Sequence, residues 1–432
     1  MNVEKRRFIT PETKILLPKD SPYMFVNPEK LLSDQEKEKL GEMHLGILTP
    51  PWIKIPPEGY GGIEAVIYNF LRSKAASYIG SISIFGHPDN ALLEKDFPNV
   101  HHHMIPGVNY DNAFGFLQEK RTGPDGAMHR IETPYAQEAY ATIADMGIDI
   151  VHDHTMMGRE FAHTLTQKKI PVLQIEHGPV EVEDSGMEVI TREIYNPVPK
   201  KLDPYHRFVA ISGYQQKSNP TLNWYDEVVP NGIDMADFDF NPLEKGHSRI
   251  GKYGLYLGRI NKNKGVDMAM DFADAIGMPL IIAGHFEGTE ANKSYEKEMK
   301  KRIKASPDRY IQFGNANKLQ RMLLLAQASW FASLIRWPEP FGLTNAEAIA
   351  SGTPPVATKR GALPEIIANH GMGILVQDTK DAVEKWREFN NVSDEEKLER
   401  ALRGREYIEN KFSTDAMSAN LAKASLHMLT PA

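Results

Sequence analysis

The sequence predicts an α/β protein of two doubly wound parallel-sheet domains that face each other across a cleft. Short apolar strands alternate with amphipathic helices from residue 44 to residue 376, the pattern of parallel sheets covered by helices on both faces. A polar, loop-like stretch from Asp239 to Lys252 splits that alternation into two similar halves. The length of 432 residues also exceeds what one ordinary core supports. The expected division is an N-terminal extension over residues 1–43, a first domain over 44–240 and a second over 241–413.

Composition narrows the class. Hydrophobic residues make up 41% and charged residues 25%, the profile of a soluble globular protein. A net charge of −7 argues against nucleic acid or an anionic membrane as partners of an overall basic field. No apolar run reaches spanning length, and the first residues lack the hydrophobic core of a signal peptide. A cytoplasmic location is therefore expected. The absence of cysteine excludes disulfides, thiolate catalysis and cysteine-ligated zinc.

In the first half, residues 1–43 are polar and broken by prolines, with one charged helical segment around Ser33–Glu42, and read as an extension that wraps or caps the first domain. The first strand is His44–Thr49. It leads through a proline-rich loop to Gly61 and Gly62, and then to a helix with Ile63, Val66, Ile67, Phe70 and Leu71 on one face. A glycine loop between strand and helix can cradle an anion, although paired glycines also occur there for packing alone. Ser81–Phe85 is the next strand. His101, His102 and His103 would alternate between the faces of a strand, so they chelate poorly as a local set. A helix over Ala136–Met146 precedes the apolar strand 148–154, whose polar exit carries His154. In parallel sheets the C-terminal strand ends face the ligand crevice, which places His154 within reach of a substrate. Further strands follow at Pro171–Ile175 and Arg207–Ser212, with Ser212 as a helix N-cap, and at Val228 before a turn. The acidic stretch 179–199 reads as a long loop near the cleft. Asp237 and Asp239 form an Asp-x-Asp pair, but in an interdomain stretch rather than at a strand exit, and are not expected to bind metal.

The second half opens with the strand Tyr253–Arg259, a basic loop from Ile260 to Gly265, and a helix from Val266. Strands at 280–283, 310–313, 330–334, 355–357 and 373–376 alternate with helices at 292–306, 319–327, 343–350 and 364–368. The end of the chain is helical over 379–388, 394–410 and 414–428. Arg259 and Lys264 lie directly after a strand and before a helix mouth. A forked guanidinium and a mobile ammonium at such a place suit a diphosphate. The stretch Arg336–Pro355 is a proline-stiffened loop, a glycine at 342, a short helix, and a stop at Ser351-Gly352. Glu339 stands ahead of that helix and Glu347 about one turn inside it. An unpaired helix N-terminus favours an anion, and flanking carboxylates can hold neutral hydroxyls of a sugar or a ribose. An ordinary connection with surface glutamates has the same spacing.

Taken together, these elements resemble the GT-B retaining glycosyltransferases of family 4 (glycosyl transferases group 1). The resemblance covers roughly residues 44–430 and is strongest in the second half. It rests on the Glu-x7-Glu signature from Glu339 to Glu347, the Gly-Arg-x4-Lys-Gly element from Gly258 to Gly265, the Pro-Asn-Gly-Ile-Asp segment at 230–234 and the Tyr-Gly-Gly loop at 60–62. It implies that Arg259 and Lys264 bind the donor diphosphate, that Glu347 holds the ribose, that Glu339 contacts the donor sugar, and that His154 sits beside the sugar transferred. Gly61, Gly62, Gly258, Phe341, Gly342, Leu343 and Thr344 would complete the donor site. The last helix, about 414–432, would cross back onto the first domain. The implied donor is a UDP- or GDP-sugar and the acceptor a carbohydrate or small-molecule hydroxyl. No cofactor or metal would be required, and a homo-oligomer is compatible with the pattern. The extension and the 179–199 loop depart from the family pattern; both could shape the acceptor site, or the extension could mediate association. Competing readings are an inverting transferase or sugar-nucleotide epimerase on the same architecture, and a donor-binding scaffold without chemistry.

Overall fold

The first sheet contains β1 (His44–Leu48), β2 (Ser81–Phe85), β3 (Val100–His103), β4 (Ile150–Asp153), β5 (Val172–Glu176), β6 (His206–Ala210) and β7 (Glu227–Val228), in the order β3-β2-β1-β4-β5-β6-β7. The second contains β8 (Gly254–Leu257), β9 (Leu280–Ala283), β10 (Tyr310–Gly314), β11 (Trp330–Ser333), β12 (Pro355–Thr358) and β13 (Ile374–Val376), in the order β10-β9-β8-β11-β12-β13. All pairings in both sheets are parallel. The computed structural model describes residues 27–57, 61–108, 110, 127–178, 203–218, 226–240, 252–288 and 292–430, with residues 127–131 as backbone. Tyr60, the 179–199 loop and most of the 239–252 linker lie outside the described residues.

Each sheet reverses its order once, between β1 and β4 and between β8 and β11. Ligands of doubly wound sheets bind at these switch points, beyond the carboxyl ends of the strands. The exits of those four strands lead to Gly61-Gly62, to His154, to Arg259–Lys264 and to the 336–342 loop. The topology therefore directs every sequence-predicted site segment toward a crevice.

The helix Gly62–Arg72 buries Val66, Ile67, Phe70 and Leu71 on one stripe, as the helical spacing predicts. In the second domain Trp330 is fully buried, edge-on to Phe272 at 4.8 Å. Gly254 lies beneath it, where an added Cβ would come within 2.2 Å of the indole. The helix expected over 136–146 instead spans Ala127–Ile143 and runs through Pro134. A proline inside a helix removes one hydrogen bond and costs about 3 kcal/mol. Complete burial of Tyr135, Ala139, Tyr140 and Ile143, at roughly 1.5–3 kcal/mol for each large side chain, offsets that cost.

The chain ends tie the first domain together. Ser33 and Glu36 form a reciprocal capping box on the helix Asp34–Glu42, whose Leu40 is fully buried. At the other end, Ile233 N–H donates to Phe412 O and Thr414 N–H to Ile233 O, both at 2.8 Å, which brings the chain back across the interdomain segment. The final helix, Thr414–Leu429, then packs on the first domain, where His152 Nε2 and Ser425 Oγ meet at 2.8 Å in the interior. Asp237 forms ion pairs with Arg72 at 2.9 Å and Lys318 at 2.7 Å, a structural use of the Asp-x-Asp pair.

Candidate active site

The basic loop after β8 is held by backbone contacts rather than by its cations. Gly265 is left-handed (φ 65), and a Cβ there would lie 2.0 Å from Leu334 O, so only glycine lets the loop lie against the exit of β11. Asn261 Oδ1 accepts from Lys264 N–H at 2.8 Å, and Arg336 N–H donates to Asn263 O at 2.8 Å. The Arg336 guanidinium grips Asp267 with two bonds of 2.9 and 2.6 Å. The two second-domain loops that the sequence singled out thus form one unit.

Both cations on that unit are already paired. Arg259 Nη1 lies 2.5 Å from Glu287 Oε1. Lys264 Nζ donates to Glu339 Oε2 at 2.7 Å, and its ammonium stands 4.4 Å from the centre of the Trp337 ring. Trp337 Nε1 donates to the same Glu339 oxygen at 2.8 Å. Glu339 is therefore an anchor of Lys264 in this structure.

Gly342 starts the helix Leu343–Ala350 in a left-handed conformation (φ 104), and a Cβ there would be 2.8 Å from Leu363. The helix ends at Gly352 in a Schellman arrangement, with Gly352 N–H on Ile349 O and Thr353 N–H on Ala348 O. Glu347 lies on the inner side, almost completely buried, with Oε1 3.4 Å from Arg321. Its Oε2 has no hydrogen-bond partner among the described residues. Burial raises the Glu347 carboxyl above its ordinary range, and the Arg321 guanidinium pulls the other way. An unpartnered buried oxygen is costly unless something supplies a donor. Phe341 and Leu343 are buried in the core, Phe341 edge-on to Phe412 at 5.5 Å, so their side chains shape the turn from behind. Thr344 is half-buried at the first turn of the helix.

On the first domain, Gly61 caps the helix Gly62–Arg72 without a side-chain bond, and among the described residues no atom outside its chain neighbours and its own helix backbone lies within 4 Å of a Cβ built on Gly62. His154 leaves β4 and stacks on His177 at the exit of β5, with ring centroids 5.1 Å apart and Nδ1 and Nε2 at 2.8 Å. Burial holds His154 well below the usual imidazole range and brings His177 down to about 4, so both rings are neutral near pH 7. Beneath them, Glu132 Oε2 accepts from Met156 N–H and Met157 N–H, each at 3.0 Å, and fixes the turn after His154. Burial, and then the neighbouring Asp153, push the Glu132 carboxyl up to about 8.

Sequence reasoning missed His177, Glu287 and Trp337. His177 had a readable signal, since Glu176-His177-Gly178 leaves its strand as His154 does. Glu287 and Trp337 had none, because their roles come from contacts made across loops.

Residues 240–407 match the family model for glycosyl transferases group 1. A D-inositol 3-phosphate glycosyltransferase of Corynebacterium aurimucosum is 30% identical over 279 residues, covering 57% of this chain and 65% of that protein. A phosphatidyl-myo-inositol mannosyltransferase of Mycolicibacterium smegmatis is 24% identical over 247 residues, covering 54% of this chain and 59% of its own. The chain thus matches somewhat less than two thirds of the length of these curated relatives. Among solved structures, Anabaena HepE in complex with UDP and glucose superposes with a TM-score of 0.62 at 16% identity, over 88% of this chain and 99% of HepE, which establishes a common fold.

Proposed function

We propose that the chain is a member of the glycosyl transferases group 1 family, whose model matches residues 240–407, and that it transfers a hexose, with retention of configuration, from a nucleoside diphosphate sugar to an acceptor hydroxyl. The observation that carries this reading is the joined pair of second-domain loops, which holds two cations and a helix mouth beside the buried, half-unpartnered Glu347. Breaking a glycosyl–phosphate bond builds negative charge on the departing diphosphate and positive character on the sugar. Fixed cations aimed at the leaving oxygens stabilise that transition state more than the ground state. Arg259 and Lys264 take that part, with the N–H groups at the Gly342 turn adding partial positive charge. Glu347 Oε2 receives a ribose hydroxyl, which supplies the donor it lacks. Glu339 releases Lys264 to the diphosphate and turns to the sugar, and His154 faces the sugar from the first domain. With two cations and a helix N-terminus opposing the diphosphate, the reading needs no metal.

A UDP-sugar is the first donor to test, because HepE was crystallised with UDP and glucose. UDP-, GDP-, ADP- and dTDP-sugars are each added to the intact protein and the melting temperature recorded. A true donor at about 100 times its Kd stabilises by about 2.7 kcal/mol through linkage. No shift with any of the four refutes the nucleotide-sugar reading. NMR of the product anomer then separates retention from inversion.

A further inference from the structure

The two domains touch across the crevice at a place that none of the site residues occupies. Ser212, at the exit of β6, donates from Oγ to Pro340 O at 2.6 Å, and the same Oγ accepts from Gln215 N–H at 3.0 Å. Pro340 lies next to Glu339. Beside it, Glu365 of the second domain accepts Gly213 N–H on Oε2 at 3.0 Å and Tyr214 N–H on Oε1. All these partners are buried or half-buried.

Each side of this contact leads directly to a predicted reacting group. On the second domain, Ala362 N–H donates to Glu339 O at 2.8 Å, and Tyr407 Oη donates to Glu365 O at 2.8 Å, so Glu365 and the Glu339–Gly342 loop are fixed to one frame. On the first domain, Gln215 Nε2 donates to Glu176 O at 3.0 Å and to Gly178 O at 2.7 Å, the two carbonyls that flank His177. Gln215 Oε1 accepts from Ile211 N–H at 2.7 Å. A continuous path of short hydrogen bonds thus joins the histidine pair to the donor loop.

We propose that Ser212 and Glu365 are positioning residues, a two-point clasp that sets the spacing between the His154–His177 pair and the Glu339–Gly342 loop. The kinetic part of this inference rests on the proposed transferase reading; the distance part does not. A carboxylate on two backbone N–H groups is a charge-assisted contact, and the serine bond fixes the rotation that one contact would leave free. Relative motion of linked domains is the general expectation, and a clasp of this kind selects one spacing from many.

The chain has no cysteine, so Lys95→Cys and Lys297→Cys, exposed positions on different domains, introduce a clean dye pair for energy transfer. The labelled protein is expected to show one narrow distance distribution without nucleotide. Ser212→Ala combined with Glu365→Ala is expected to broaden or lengthen it, because loss of three bonds, two to a charged group, lowers the clasped population by at least about tenfold. In transfer assays the double variant loses about tenfold in kcat, with donor KM changed less than about threefold. Ser212→Thr, which keeps the hydroxyl, retains both properties. A double variant that melts as a cooperative unit and keeps both the wild-type distribution and the wild-type kcat overturns the proposal. If the wild type turns over no donor, the transferase reading fails alone, and the distance distributions still decide the clasp. If the double variant does not fold, Glu365→Gln, which keeps one acceptor oxygen, must still broaden the distribution, and an unchanged one overturns the proposal.

Discussion

Glu132→Gln isolates the most perturbed carboxyl near the candidate site. The Glu132 carboxyl is completely buried and raised from 4.5 to about 8, by burial first and by the Asp153 charge second. Between those values the folded protein holds a proton that the unfolded chain has released. Stability must then fall as pH rises, by at most about 1.4 kcal/mol per pH unit, and the contribution is complete only below the unfolded value. Buried histidines, His154 and His370 among them, act in the opposite sense. His152 is lowered to about 3, and His177 and His206 to about 4, so their neutral forms favour the folded state increasingly as pH rises to 6.5 and add no slope above it. Above about pH 6.5 Glu132 dominates, with Glu409, raised to about 7, adding a smaller term of the same sign. Glutamine keeps a carbonyl oxygen for the Met156 and Met157 N–H groups but does not titrate. Subtracting the variant's urea-unfolding free energy from that of the wild type cancels the groups that do not interact with Glu132, and leaves Glu132 with its coupled neighbour Asp153. The difference should shift against the wild type by about 2–3 kcal/mol between about pH 6 and pH 8. Parallel profiles for the two proteins would refute the assignment of a retained proton to Glu132.

Arg259→Ala and Lys264→Ala should each lower turnover by about 10²-fold at saturating donor, the usual worth of a fixed group that opposes transition-state charge; wild-type kcat in both removes them from the chemistry. Glu347→Ala should mainly weaken nucleotide binding, by about 1–3 kcal/mol for a lost hydrogen bond to a charged acceptor, and isothermal calorimetry with UDP or GDP measures it directly. Unchanged affinity would leave Glu347 as a partner of Arg321 alone.

Most of the architecture was legible because it follows from periodicity. The helical stripe Val66, Ile67, Phe70 and Leu71 and the apolar runs of β4, β8 and β11 are local patterns, and alternation of type dictates parallel sheets. The placing of Arg259, Lys264, Glu339 and His154 in the loops that leave strands β8, β11 and β4 followed from the same logic. The part of the helix Ala127–Ile143 before Ala136 was not legible, because a proline at 134 locally favours a helix start, whereas the burial of Tyr135 and Tyr140 that overrides it is tertiary. The carboxylate partners were not legible for a related reason. Glu287 is 28 residues from Arg259, and nothing in the chain between them announces the contact. The same holds for Glu365, which meets the first domain 152 residues away from Gly213.

Those partners change how the proposed donor site would work. Arg259 and Lys264 each face one carboxylate, Glu287 and Glu339, so the four groups sum to zero charge. A site with two unpaired cations would hold any phosphate and release a diphosphate product slowly. With the pairs in place, an incoming diphosphate must displace two carboxylates, and its net gain is the difference between two sets of ion pairs rather than the full attraction. The displaced groups differ in what awaits them. Glu287 remains held by Asn292 Nδ2 at 3.0 Å, whereas Glu339, once Lys264 leaves, keeps the Trp337 N–H at 2.8 Å as its side-chain partner among the described residues. Glu339 is therefore the carboxylate with acceptor capacity to spare for sugar hydroxyls. Full donor affinity then requires both halves of the ligand at once: the diphosphate to draw Lys264 away, and the sugar to occupy the oxygen that Lys264 vacates. A nucleoside diphosphate without its sugar meets only the first condition, so it should bind more weakly than the intact donor and leave readily after transfer.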